Sequence, residues 1–173
     1  VEHNIEIFKQ NTKPGENITI TQGNAKNLCG FSDNTYDITL LLGPMYHLFT
    51  EEEKLQALSE AVRVTKKGGI VFSAYCMGDA SVLMYGFIRG EIHNIIEKCM
   101  LDPVTFETFS KPWDLFELHR KEDIDALRSH FNVMVFIAFL CKHKTIKYIF
   151  TVHLQSDRIT FLKSNTFIFD HGE

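Results

Sequence analysis

The chain has 173 residues, of which 45% are hydrophobic and 23% charged, and its formal net charge is −4. This length and composition predict one soluble globular domain with a real core. The small negative charge, without any basic patch, argues against nucleic acid or an anionic membrane as a partner. No signal peptide is visible, and no apolar run approaches the roughly 20 residues that a membrane-spanning helix needs.

The four cysteines lie far apart and form no C-x-x-C pair. This pattern predicts reduced thiols in a cytoplasmic protein rather than a disulfide framework or a zinc site. Cys141, His143 and His153 fit no common zinc spacing, so we expect no metal site.

The first half of the chain alternates between helical and strand patterns. Residues 3–12 predict a short helix, and residues 18–21 alternate as a half-buried strand does. Residues 38–42 are almost continuously apolar, which is typical of a parallel strand covered by helices on both faces. Thr50 and Glu53 then form a capping box, which predicts the start of a second helix.

This second helix carries apolar residues at helical spacing and is predicted to stop at Gly68. The apolar residues are Leu55, Leu58 and Val62. A second buried strand, residues 70–75, follows at once. Strand, helix and strand joined by short connections predict a right-handed parallel crossover and hence an α/β fold.

The rest of the chain falls into an insertion and a tail. Residues 79–118 predict an insertion with a helix at about 90–98, and residues 121–131 predict a further helix. The tail, residues 132–173, holds only three of the 22 acidic residues of the chain and several β-branched runs. It predicts two or three strands, at roughly 133–140, 146–154 and 159–169.

Three segments in a fixed order carry the functional signal. The first is Gln22-Gly-Asn-Ala-Lys-Asn-Leu28. The second is the end of the first buried strand, Leu42-Gly-Pro44, with Met45, Tyr46 and His47 directly after it. The third is Arg63-Val-Thr-Lys-Lys-Gly-Gly69, between the second helix and the second buried strand.

In this order and spacing, the segments resemble those of class I S-adenosylmethionine-dependent methyltransferases. The first is similar to the family's Gly-Asp-Ala motif, with Asn24 in place of the usual aspartate. The third is similar to its Arg-x-Leu-x-Pro-Gly-Gly turn. The resemblance implies a Rossmann-like sheet with strand order 3-2-1-4-5-7-6, in which residues 36–43 form the fourth strand.

The resemblance also implies S-adenosylmethionine as the cofactor. Its adenine would lie against Gly23, Asn24 and Ala25, since the amide of Asn24 still accepts a hydrogen bond from the adenine amino group. Its methionine end would lie against the end of the strand, at Leu42, Gly43 and Pro44.

Tyr46 and His47 would then lie near the methyl acceptor, which the resemblance implies to be a small molecule. His47 is either a base or acceptor-orienting group, or a helix-entry histidine that bonds a nearby carbonyl. Tyr46 either lines the pocket or is a core aromatic. Four aromatic residues of the insertion either cover an apolar substrate as a lid or belong to the core: Phe106, Phe109, Trp113 and Phe116.

Two features depart from the family. The glycine-rich loop and the acidic residue that holds the ribose are absent, and the tail differs from the family's usual end. We therefore expect a partial domain, truncated at the N-terminus, that binds the cofactor weakly and is inactive. Residues 18–21 would lack a partner strand, and residues 36–43 would form an exposed apolar edge that promotes self-association. The alternative is a non-catalytic interaction module derived from the same fold; another nucleotide-binding enzyme, such as a dehydrogenase, fits the motifs less well.

Overall fold

A computed structural model describes residues 2–131 and, as backbone only, residues 133–142 and 145–154. In this part of the chain the α-helices are α1 (Glu2–Asn11), α2 (Glu51–Val64), α3 (Gly78–Ser81), α4 (Ile92–Glu97) and α5 (Lys121–Ser129). A 3₁₀ turn covers Pro44–Tyr46 and a π-helix covers Val82–Ile88. The strands are β1 (Tyr36–Leu41), β2 (Thr65–Met77), β3 (Leu118–His119), β4 (Val133–Lys142) and β5 (Thr145–Leu154).

The strands form one sheet in the order β1-β2-β5-β4, and β3 pairs with β2. β1 and β2 are parallel, whereas β5 runs antiparallel to both β2 and β4. This order coincides with the 4-5-7-6 half of the strand order that the resemblance implies. The prediction of a Rossmann-like α/β sheet is therefore confirmed.

Several predicted elements are present with small shifts in their bounds. The helices expected at 3–12, 90–98 and 121–131 are α1, α4 and α5. The first two strands expected in the tail correspond to β4 and β5. The third, at 159–169, lies outside the described residues.

The crossover from β1 to β2 runs through α2. The hydroxyl of Thr50 caps this helix by accepting the Glu53 N–H at 3.2 Å, as the sequence predicts. The helix ends at Val64, however, and not at Gly68. The prediction was wrong because Thr65 already has extended backbone and pairs with Tyr36 of β1.

One face of the sheet carries the core. Side chains alternate along β2, so that Val71, Ser73, Tyr75 and Met77 are buried while their neighbours are half-buried. The buried set forms one cluster with residues of α2 and α5: Ala57, Leu58, Ala61, Ile124 and Leu127. Among the described residues, helices α2 and α5 thus cover this face of the sheet.

The strand predicted at residues 18–21 is not formed. The backbone of this stretch is irregular, and the N–H of Ile18 donates to the nearby carbonyl of Glu16 at 3.1 Å. A strand needs a neighbour to satisfy its N–H and C=O groups. β1, which lies at the edge of the described sheet, has only β2 beside it.

The Lys66–Gly69 segment interrupts the pairing of β1 with β2. Tyr36 pairs with Thr65, but Ile38 pairs with Ile70, so the strand bulges between these two positions. Gly68 has a φ of 80°, which favours glycine. At Gly69, an added Cβ would lie 2.7 Å from the carbonyl oxygen of Asp37 and 2.9 Å from that of Lys66. Both contacts are with backbone, which cannot simply swing away.

We therefore expect Gly69→Ala to destabilise the fold. The methyl group has to push β1 away from β2, at a cost of about 1–3 kcal/mol by analogy with overpacked cores. Thermal unfolding followed by circular dichroism measures the effect. Gly30→Ala is the matched control, since nothing lies within 4 Å of its added Cβ. Equal melting temperatures for the two variants would contradict the close approach at Gly69.

Candidate functional site

The candidate site lies where β1 ends. Gly43, Pro44 and Met45 are buried there, and Tyr46 and His47 are half-buried. The 3₁₀ turn is closed by the His47 N–H, which donates to the carbonyl of Pro44 at 2.9 Å. The turn thus ends the strand abruptly and places Tyr46 and His47 at its carboxyl end, where open α/β sheets bind ligands.

The Asn24–Lys26 segment lies against the N-terminal end of α2. Ala25 is 1% exposed and belongs to the same core cluster as Met45, whereas Asn24 is exposed. The ammonium of Lys26 lies 2.6 Å from the carboxylate of Glu53, in the first turn of α2. The structure therefore brings both predicted cofactor segments to one end of one helix.

The side chain of Asn24 has one hydrogen bond already. Its Oδ1 accepts the backbone N–H of Lys26 at 2.8 Å, forming a local turn. A carbonyl oxygen has two lone pairs, so the second stays available for an amino group such as that of adenine. The chemistry of Asn24 thus fits the role that the sequence gave it.

Arg63 fixes the loop that follows Asn24. Its guanidinium donates to the carbonyls of Leu28 and Phe31, both at 2.9 Å, and pairs with Asp33 at 2.6 Å. Glu60 completes the network by binding Arg63 at 2.7 Å and accepting the Leu28 N–H at 2.6 Å. The hydrogen bond from Arg63 is the main reason why the pKa of Glu60 is lowered. The sequence identified the Arg63 motif as a turn but missed this role.

Phe116, from the insertion, packs directly on the two candidate catalytic residues. Its ring lies 5.4 Å from the ring of Tyr46, edge to face, and 5.4 Å from the ring of His47. The Glu117 N–H donates to the Tyr46 carbonyl at 2.8 Å. Of the four aromatic residues predicted as lid or core, Phe116 is the one joined to the site in this way.

A buried charged cluster lies beneath this contact, and the sequence did not point to it. Lys54 of α2 is 7% exposed, and its ammonium lies 2.6 Å from the Glu117 carboxylate. His119 is 2% exposed, with Nε2 3.5 Å from the same carboxylate. Among the described residues, neither ring nitrogen of His119 has a hydrogen-bond partner of good geometry.

Burial controls the protonation of this cluster. It lowers the pKa of His119 to about 4, and the positive charge of Lys54 contributes to the lowering. The imidazole is therefore neutral at neutral pH, and its contact with Glu117 is not an ion pair. Burial raises the pKa of Glu117, although Lys54 acts in the opposite direction. Burial also raises the pKa of Tyr75, whose ring packs edge to face on His119, to about 12.

Helical periodicity contained a signal for the buried lysine. The sequence predicts Leu55, Leu58 and Val62 as the apolar stripe of α2, but of these only Leu58 is among the most buried positions of the helix. These positions are Lys54, Ala57, Leu58, Ala61 and Val64. A lysine in such a stripe needs a buried partner. No local pattern, in contrast, connects it to Glu117, which is 63 positions further along the chain.

The fold and the site together define a class of protein. Solved structures of similar fold include an S-adenosylmethionine-dependent methyltransferase from Methanosarcina mazei (TM-score 0.52, 16% identity, covering 88% of this chain and 76% of that one). A second is the magnesium protoporphyrin IX methyltransferase from Synechocystis PCC 6803, solved with bound SAH (0.57, 12%, covering 90% and 59%). A third is a protein from Pyrococcus horikoshii OT3 (0.56, 16%, covering 90% and 69%). The chain has the Rossmann-like fold of class I methyltransferases.

The family comparison is more specific. Residues 1–73 match the family model described as a methyltransferase domain. The predicted resemblance to class I S-adenosylmethionine-dependent methyltransferases is therefore confirmed. The matched residues include all three motifs and the whole β1–α2 unit. A comparison with curated proteins gave no significant match.

Two further features of the described residues bear on partners. Within the described part of the chain, no helix has the length and apolar character needed to cross a membrane. In the same part, no three His, Cys, Asp or Glu side chains are grouped closely enough to hold a metal ion. The side chains of Cys141, His143 and His153 lie outside the described residues.

The depressed pKa of His119 predicts loss of stability in acid. The unfolded chain takes up this proton at the ordinary pKa of 6.5, whereas the folded chain resists it until about pH 4. The unfolded state therefore binds more protons between these values. As the pH falls through this range, the free energy of unfolding decreases by about 1.4 kcal/mol per pH unit. Urea unfolding across this range should show the loss in the wild-type protein and not in His119→Gln.

The exposed His93 provides the matched control, because His93→Gln should keep the wild-type slope. The raised pKa of Glu117 acts with the opposite sign in all three proteins, so only the differences between them are compared. An identical slope for wild type and His119→Gln would contradict the burial of a neutral imidazole.

Proposed function

We propose that the protein is a cytoplasmic S-adenosylmethionine-dependent methyltransferase that acts on a small-molecule acceptor. The observation that carries the proposal is the end of β1. There, a buried turn that starts at Gly43 brings Tyr46 and His47 to the carboxyl end of a parallel strand, within residues that match a methyltransferase domain.

The chain supplies part of a cofactor site. Gly23, Asn24 and Ala25 would hold the adenine, and Leu42, Gly43 and Pro44 the methionine end. The cofactor, when bound, supplies a methyl group already activated on a positively charged sulfur. The 173 residues contain no glycine-rich loop of Gly-x-Gly-x-Gly type. The contacts that such a loop makes with the ribose and carboxylate of the cofactor would have to come from other residues.

The two candidate catalytic residues have different roles in this proposal. Burial raises the pKa of Tyr46, which keeps its hydroxyl protonated and able to donate a hydrogen bond to the acceptor. His47 would take the proton of an acceptor that has to lose one. Phe116 packs on both rings and would exclude water from them.

A non-catalytic interaction module is the competing function. The observation that favours it is the position of β1, which pairs only with β2 among the described strands. A sheet edge of this kind is a template for another chain. The two functions differ in cofactor binding, which the next experiment measures.

Calorimetric titration with S-adenosylhomocysteine should distinguish them. We expect the 173-residue chain to bind at millimolar concentration or worse, because the contacts made by the glycine loop and the ribose acid are missing. Charge-assisted hydrogen bonds are worth about 1.5–3 kcal/mol each, and each 1.4 kcal/mol is roughly tenfold in affinity. The product of the complete coding sequence should bind at micromolar concentration if that sequence encodes the loop.

In the protein that binds the cofactor, Asn24→Asp should raise the cofactor affinity several-fold, since a carboxylate accepts a hydrogen bond from the adenine amino group more strongly than an amide does. Asn27→Asp is the matched control. Asn27 is also exposed, and its Oδ1 also accepts a backbone N–H, from Cys29 at 3.2 Å. Absence of any binding heat in a folded complete protein would refute the proposed function and favour the interaction module.

Self-association through β1 is tested separately. Sedimentation velocity of the 173-residue chain should show a mass that rises with concentration. Leu40→Lys should suppress the rise, because a lysine on an edge strand opposes pairing. Ile7→Lys is the control, as Ile7 is 42% exposed on α1 and is not part of the sheet. A monomer at all concentrations would show that this edge is protected.

A further inference from the structure

The exposed large apolar side chains of the described residues are concentrated in the insertion. Of the twelve large hydrophobic side chains that are exposed among the described residues, eleven lie between Leu83 and Phe116. Isolated exposed apolar residues need no explanation, but a concentration of them marks an interaction site. The part that adjoins the candidate site is the loop of residues 110–118.

This loop is closed at its base and fixed to the sheet. The Leu118 N–H donates to the Ser110 hydroxyl at 2.9 Å, which joins the two ends of the loop. Leu118 pairs with Cys76 at the end of β2, and the Glu117 N–H binds the Tyr46 carbonyl at 2.8 Å. The loop is therefore held beside the carboxyl ends of β1 and β2.

The exposed side chains of the loop lie close to the candidate catalytic residues. Trp113 is 79% exposed, Leu115 74% and Phe116 42%. Phe116 touches Tyr46 and His47, and Trp113 is three residues away, which limits its backbone to roughly 10 Å from Phe116. Phe116 thus links this exposed apolar loop to the two candidate catalytic residues.

The charges of the loop are already engaged within the protein. The Lys111 ammonium lies 5.8 Å from the centre of the Trp113 ring. The Asp114 carboxylate accepts the backbone N–H of Lys111 at 2.6 Å. Glu117 is paired with the buried Lys54. Lys111 balances Asp114 and Lys54 balances Glu117, so this surface carries no net charge that would favour a charged acceptor such as a phosphate ester.

From this placement we propose that the methyl acceptor is an uncharged, apolar small molecule with a hydroxyl group. Its apolar body lies on Trp113, Leu115 and Phe116, and its hydroxyl reaches Tyr46 and His47. The inference rests on the proposed function, because it assigns a substrate class to that same site. The experiment measures binding to the loop and needs neither cofactor nor turnover.

Trp113 is the only tryptophan of the chain and reports directly on this surface. The probe is para-hexylphenol, titrated into the full chain while Trp113 emission is followed under red-edge excitation. We expect saturable quenching. Shortening the alkyl chain to para-butylphenol should weaken binding about tenfold, because each buried methylene contributes roughly threefold or more. The charged para-hydroxybenzoate should not bind measurably.

Variants locate the binding surface. Leu115→Asp should weaken the binding of para-hexylphenol at least tenfold. Phe116→Ala should weaken it as much without adding a charge. Ile88→Asp is the matched control, since Ile88 is 65% exposed on the π-helix outside the loop. Circular dichroism melting confirms that each variant is folded. Equal weakening by Ile88→Asp and Leu115→Asp would show non-specific adsorption and would overturn the proposal.

Three other results would also overturn it. These are the absence of saturation, equal binding of para-hydroxybenzoate, and a change in Trp113 emission that follows protein concentration instead of probe concentration. The last result would identify the loop as a self-association surface. The phenol titration and the cofactor calorimetry fail independently. Phenol binding with no cofactor binding, in a folded protein that carries the glycine loop, refutes the proposed function, and the reverse refutes only the apolar acceptor.

Discussion

The burial of Lys54 is the constraint on which the candidate site depends. A lysine ammonium that is 7% exposed has to be paired, and its partner, Glu117, comes from the far end of the insertion. This pairing holds the insertion against the turn after β1, where Phe116 covers Tyr46 and His47. The pair stabilises the fold little by itself, since desolvation of both ions offsets much of their attraction. Its effect is to specify where the loop sits.

The sequence predicted the elements whose signals are local. The cap at Thr50, the apolar run of β1 and the order of the three motifs all depend on residues close together in the chain, and they identified both the crossover and the family. The end of α2 was misplaced because Gly68 is a strong local signal. The pairing of Thr65 with Tyr36, which ends the helix earlier, is a contact between strands. The strand predicted at residues 18–21 is not formed for a related reason, since a strand needs a neighbouring strand to satisfy its N–H and C=O groups.

The predicted site residues come from motifs, whereas the residues that support them were missed. The positions around Asn24 and Gly43 followed from motifs, and the structure brings both to the N-terminal end of α2. Lys54, Glu117 and His119 were missed because they are distant in the chain and lie outside every motif. Arg63 was seen as part of a turn, yet its five donors are directed at carbonyls and carboxylates more than 25 positions earlier as well as at Glu60. Such long-range polar contacts have no periodicity to reveal them.

Helix α2 has a geometric role beyond joining two strands. Its first turn holds Lys26 through Glu53 and Glu117 through the buried Lys54, while its last turn holds residues 28–33 through Arg63. Fourteen residues at 1.5 Å each make this helix about 21 Å long. It therefore sets the spacing between the Lys26 and Glu117 contacts at its first turn and the contacts to residues 28–33 at its last. A single residue inserted into α2 would rotate one end against the other by about 100°, since a turn takes 3.6 residues, whereas the irregular chain after α4 has no such register to lose.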